Sequence, residues 1–100
     1  MANVFTNAVH TTLATDVNAV VYTSPAATET IVHSIYVDAT VSGTCTLSLN
    51  GTTPFASNFV VGNASPVIFD KPINLNAGDT LTVTSATAGV HILASVLQIS

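Results

Sequence analysis

Apolar residues recur at every second position along most of this chain, and the three-to-four spacing of a helix is not the dominant pattern. Thr, Val and Ile fill the alternating runs, and these residues suit a pleated surface, so the pattern predicts an all-β protein. AVVYTSP (19–25) predicts a strand stopped by Pro25, which has no N–H to give to a ladder. The longest alternation, ETIVHSIYVDATV (29–41), sets Ile31, His33, Ile35, Val37 and Ala39 on one face, the expected core face. Val32, Ser34, Tyr36 and Asp38 fall on the other. TCTLSLNG (44–51) turns Cys45, Leu47 and Leu49 inward and ends on Asn50-Gly51, a pair suited to positive φ and to a hairpin returning through TPFASNFVV. SPVIFDKPINLNAGDTLTVTS (65–85) predicts two short strands around Pro72 and a third after the Gly78-Asp79 turn. GVHILASVLQIS (89–100) closes the chain, with Val90, Ile92, Ala94 and Val96 on one face and Leu93, Leu97 and Ile99 on the other. A strand apolar on both faces is expected to be covered on both, by a second layer or by another subunit.

Together these elements predict about eight strands at spacings of roughly 8–12 residues, the mark of an antiparallel β-sandwich or a jelly-roll-like fold. The whole chain, 1–100, is expected to form one domain, with residues 1–14 as an edge strand or an arm reaching a neighbour. Asn50, Gly51, Gly78 and Asp79 are the expected turn framework. Val32, Tyr36, Leu93, Leu97 and Ile99 are the candidate residues for an interface between subunits.

Composition sharpens this picture. Hydrophobic residues make up 48% of the 100 and charged residues only 6%, against roughly 25% in an ordinary soluble domain. The polar surface must therefore be built from uncharged Thr, Ser and Asn. Such a surface has little charge to keep copies apart and loses little when pressed against a neighbour, which points to an assembled state. Five carboxylates (Asp16, Glu29, Asp38, Asp70 and Asp79) face Lys71 alone, with no Arg. Phosphate neutralisation and base reading need several cations on one face, so nucleic acid is excluded as a partner and an anionic membrane is disfavoured. No apolar run is long enough for a membrane helix. The N-terminal segment MANVFTNAVHTTLATDV has neither a cationic start nor a continuous apolar stretch, so the mature chain is expected to begin there. The single Cys45 is expected to be a buried thiol, in keeping with synthesis in a reducing cytoplasm.

Candidate chemistry is sparse. His10, His33 and His91 are far apart in sequence, without the close ligand pair usual in a zinc site, and read as core or contact residues rather than metal ligands. Neither Gly-x-Ser-x-Gly nor an evident Ser/His/Asp set is present, and Asp70 and Asp79 sit where turn carboxylates cap backbone amides. No enzyme activity and no cofactor is expected. Sugar stacking would fall to Tyr22 and Tyr36, since Trp is absent, and packing at an interface suits them better. The tripeptides NGT (50–52) and NAS (63–65) match the glycosylation pattern but read as turns.

Two stretches carry a family resemblance. VVYTSPAATETIVHSIYVDAT, and later DKPINLNAGDTLTVTSATAGVHILASVLQIS, resemble small bacteriophage virion proteins. In that family a Tyr-Thr-x-Pro segment leads into an Ile/Val-rich strand, and a Leu-x-Ala-Gly-Asp-x-Leu turn leads into a C-terminal strand ending near Leu-x-Ile-Ser/Thr. The matching residues here are Tyr22, Thr23, Pro25, Leu75, Ala77, Gly78, Asp79, Leu81, Ser95, Leu97 and Ile99. The middle, SLNGTTPFASNFVVGNASPVIFD, is shorter and less charged than the family pattern. The resemblance implies a structural subunit: a decoration or cement protein that stabilises the head by binding the major capsid protein, expected to be a homotrimer on the capsid surface. The alternative it implies is a tail, neck or fibre component with a receptor or glycan to bind.

Overall fold

The computed structural model describes residues 3–12, 16–39, 42–62, 67–85 and 89–100. Among them it forms nine strands and no helix: β1 (Asn3–Thr11), β2 (Asp16–Thr23), β3 (Glu29–Ala39), β4 (Gly43–Leu49), β5 (Thr53–Val61), β6 (Val67–Phe69), β7 (Ile73–Leu75), β8 (Thr80–Ser85) and β9 (Val90–Ile99). One antiparallel sheet runs β1-β9-β3-β6, with β7 also on β3; the other runs β2-β8-β4-β5. Counted as one strand interrupted at Asp70-Lys71-Pro72, β6 and β7 reduce the plan to eight strands in two sheets of four. That is the connectivity of a jelly roll, and the fold is a β-sandwich, as the alternation predicts. Of the N-terminal segment 1–14, Asn3–Thr11 form β1, an edge strand paired with β9 from Asn3↔Ile99 to Thr11↔His91, and residues 1, 2, 13 and 14 lie outside the described residues. The NAS tripeptide lies outside the described residues.

The core fills the space between the sheets. From the first sheet come Val32, Ile35, Val37, Val90, Ile92, Ala94 and Val96; from the second come Cys45, Leu47, Leu81 and Val83, all buried. The final strand follows its alternation without interruption, because its pairing with β1 has no irregularity.

Strand β3 departs from the predicted phase. Val32 pairs with Val96 and Ser34 with Ser95, leaving His33 as an extra residue in a bulge. A one-residue slip exchanges the two faces, so the first half of β3 is inverted relative to strict alternation. Val32, expected on an interface, is 1% exposed in the core, while Ile31 is half-buried and His33 exposed, both expected inside. The bulge also matches the broken strand across from it: Thr30–Val32 pair with β7 and Ile35–Val37 with β6.

A polar chain ties the sheets together near the start of β3. Ser24 Oγ donates to Thr28 O (2.9 Å), so towards Thr30 Oγ1, at 2.9 Å, it must accept. Thr30 in turn accepts from the Tyr22 hydroxyl (3.1 Å), which accepts from Gln98 Nε2 at 2.7 Å. Every hydroxyl is thus used once as donor and once as acceptor, a consistently polarised chain from β9 to β2. Tyr22→Phe removes the middle of it and leaves Gln98 and Thr30 each short of a partner; a loss of about 1–2 kcal/mol is expected in a urea titration. An unchanged midpoint would mean water replaces the phenol.

Candidate functional site

The candidate site is built from the outer face of the β1-β9-β3-β6 sheet. Cross-strand register sorts its outward residues into rows. In one row Phe5 stands opposite Leu97, and Leu97 opposite Ile31. In another, Val9 stands opposite Leu93, Leu93 opposite Tyr36, and Tyr36 opposite Ile68. Between them lies a polar row of Asn7, Ser95 and Ser34. Beyond them are the Asn3, Ile99, Glu29 row and the Thr11, His91, Asp38 row, where Thr11 Oγ1 and His91 Nδ1 are 3.1 Å apart. Two apolar rows are thus held at fixed spacing on a pleated surface.

Solvent reaches this face. Phe5 is 72% exposed, Val9 65%, Ile68 55% and Tyr36 43%, while Leu93, Leu97 and Ile99 are half-buried by their neighbours in the sheet. Among the described residues no second layer covers them. The structure therefore brings four of the five candidate interface residues, Tyr36, Leu93, Leu97 and Ile99, onto one surface and removes Val32. Phe5, Val9 and Ile68 join them. The apolar residues of the N-terminal segment come in adjacent pairs, Val4-Phe5 and Ala8-Val9, so alternation there picks no face, and only register with β9 shows that Phe5 and Val9 share the face of Leu93 and Leu97.

The other sheet presents a different surface. Thr80, Thr82 and Thr84 of β8 alternate with its core residues beside Thr46 and Ser48 of β4, but Thr82 and Ser48 are buried, and Thr82 Oγ1 donates to Ser48 O at 3.2 Å.

The four framework residues meet at one end of the sandwich. Asn50 and Gly51 both have positive φ, 55° and 68°, and Thr52 N donates to Leu49 O, closing the β4–β5 turn. Asn50 Oδ1 accepts from Thr80 N at 2.8 Å and Asn50 Nδ2 donates to Asp79 Oδ1 at 3.3 Å. Asp79 Oδ2 caps Asn76 N (3.0 Å). Gly78, at φ 85°, donates its N–H to Ser24 O. Three loops are locked by this set.

Two concavities border the first sheet. A groove of ≈ 300 Å³ between β5 and the β6–β7 break has walls of Phe55, Ile68, Phe69, Pro72 and Ile73. Phe69 meets Phe59 edge to face, with ring centroids 5.2 Å apart. A smaller one, ≈ 230 Å³, lies by Glu29, Asn74 and Ile99.

Cys45 is buried, and burial pushes its thiol above the ordinary value, opposed by a weaker hydrogen bond with Ser85. Its contribution to stability is therefore present below the thiol's unfolded value and is lost as pH rises through the folded one. The denaturant midpoint is expected to fall on going from pH 7 into the alkaline range, less so in Cys45→Ala; equal falls would place the effect elsewhere. Among the described residues no three His, Cys, Asp or Glu side chains converge as a metal site. Tyr22 is drawn into the interior chain and Tyr36 lies on the outer face, so the two tyrosines share no groove.

No family model matches the chain, and no curated protein matches it. Among solved structures it is similar to a GH26-CBM35 β-(1,4)-mannanase of Podospora anserina, at 18% identity and a TM-score of 0.45. That similarity covers 96% of this chain and 27% of the mannanase, so the chain spans about a quarter of that protein's length.

Proposed function

We propose that this chain is a virion structural protein that acts by contact and not by catalysis: a decoration or cement subunit, self-associated and seated on a phage head. The observation that carries the reading is the outer face of the β1-β9-β3-β6 sheet, where two apolar rows stand open to solvent in a chain with six charged residues. Exposed apolar surface of this regularity marks contact with another protein. The phage resemblance of the Tyr22–Pro25 and Leu75–Leu81 segments supplies the kind of particle. A homotrimer is the proposed assembly and the major capsid protein the proposed second partner.

Binding to assembled heads is the test. A protein selective for the shell must stabilise it, so saturable co-sedimentation with empty heads and a raised head melting temperature are expected. Absence of both would move the reading to a tail, neck or fibre component. The aromatic cluster that a receptor or glycan site would want is not assembled from Tyr22 and Tyr36, and the contact reading is preferred for that reason.

A further inference from the structure

The two edges of the β1-β9-β3-β6 sheet are unlike each other, and the difference suggests how copies join. Edge strands of soluble proteins are normally guarded by charge, proline, brevity or a bulge, because their unpaired backbone groups invite pairing. The β6–β7 edge is guarded in this way: each piece is three residues long, and Asp70, Lys71 and Pro72 stand between them. The β1 edge is not. It runs nine residues, NVFTNAVHT, with no Asp, Glu, Lys, Arg or Pro, and among the described residues it pairs with β9 alone. Phe5 and Val9 stand out from it, 72% and 65% exposed.

The guarded edge carries the apolar groove. Its walls are Phe55, Ile68, Phe69, Pro72 and Ile73, with Asp70 and Lys71 at the rim. A cavity of about 150 Å³ lined by such residues accepts a benzene ring, so ≈ 300 Å³ leaves room for a phenyl side chain and a neighbouring small group. The rim charges are one of each sign and adjacent, so a neutral strand docking there meets no net charge to neutralise. Ile68 belongs both to this groove and to the Val9–Leu93–Tyr36–Ile68 row, which makes the groove continuous with the apolar face.

We infer that copies of this chain associate head to tail, the β1 edge of one placing Phe5 in the β5/β6–β7 groove of the next. The occupant is a second copy because the chain bears both halves of the fit, an unguarded strand with a projecting ring and a charge-balanced apolar slot, on opposite edges of one sheet. Such heterologous contacts close into a ring when the rotation between copies allows. Pairing β1 with β1 instead would leave Phe5 outside and the groove empty. The inference rests on the self-association in the proposed function and adds its geometry.

The test uses two full-length variants, Phe5→Asp and Ile68→Asp, both at exposed positions. Each alone is expected to be monomeric by light scattering. Mixed in equal amounts they retain one intact pair of surfaces, the β1 edge of Ile68→Asp and the groove of Phe5→Asp, and should form a one-to-one dimer of twice the chain mass that grows no further. An Ile68→Asp protein that keeps the native mass, or a mixture that stays monomeric while the unaltered protein is assembled, overturns this geometry and leaves self-association standing. An unaltered protein that is itself monomeric overturns both.

Discussion

Leu97→Asp is expected to leave the sandwich folded and to abolish its assembly. Leu97 is half-buried on the outer face, between Phe5 on β1 and Ile31 on β3. In the isolated chain a carboxylate at this position still reaches water, and the cost is that of a poor strand residue, about 1 kcal/mol. In an assembly that covers the face, the same carboxylate would be stripped of water, and the one Lys a neighbouring copy could offer, Lys71 at the groove rim, stands next to Asp70. That costs several kcal/mol per interface, on the order of the whole affinity of a micromolar contact. Circular dichroism should therefore be unchanged and the mass by light scattering should fall to that of one chain. Thr44→Asp, exposed on the opposite sheet, is the control and should leave the mass unaltered. A Leu97→Asp protein that stays assembled and stable would show that this face is not covered.

Val32→Asp should behave in the opposite way and unfold the protein. The same substitution, one strand away, puts the charge on the inner side of the bulge, where Val32 is 1% exposed and faces Leu and Val side chains of the second sheet. An unpaired buried carboxylate either stays ionised at a cost of several kcal/mol or takes up a proton and forgoes its hydration. A domain of this size has about 5–15 kcal/mol to lose. Loss of the cooperative thermal transition, or its shift by tens of degrees, is expected. A folded but dissociated Val32→Asp would restore Val32 to the outer face and remove the bulge from the account.

These paired outcomes mark how far the chain could be read by eye. The strand from Val90 to Ile99 was legible because nothing interrupts its alternation, and its inner residues are all buried. The Asn50-Gly51 turn and the break at Pro72 were legible because positive φ and a missing N–H are local demands that few residues meet. The inversion at His33 was not. A bulge is set by what lies opposite, here the gap between β6 and β7 some forty residues on, and His33 itself carries no mark of it. Of the candidate site, Leu93, Leu97 and Ile99 could be found within one strand. Their union with Phe5, Val9, Tyr36 and Ile68 depends on register between distant strands, and the groove on the meeting of β5 with the β6–β7 break; local pattern holds neither.

The central claim, that the open face of the β1-β9-β3-β6 sheet exists to be covered, is tested most directly by the mass of the unaltered protein across a wide concentration range. Light scattering should give a fixed small multiple of the 10.2 kDa chain, a trimer in the proposed assembly, down to micromolar concentration. A mass of one chain at every concentration would contradict it.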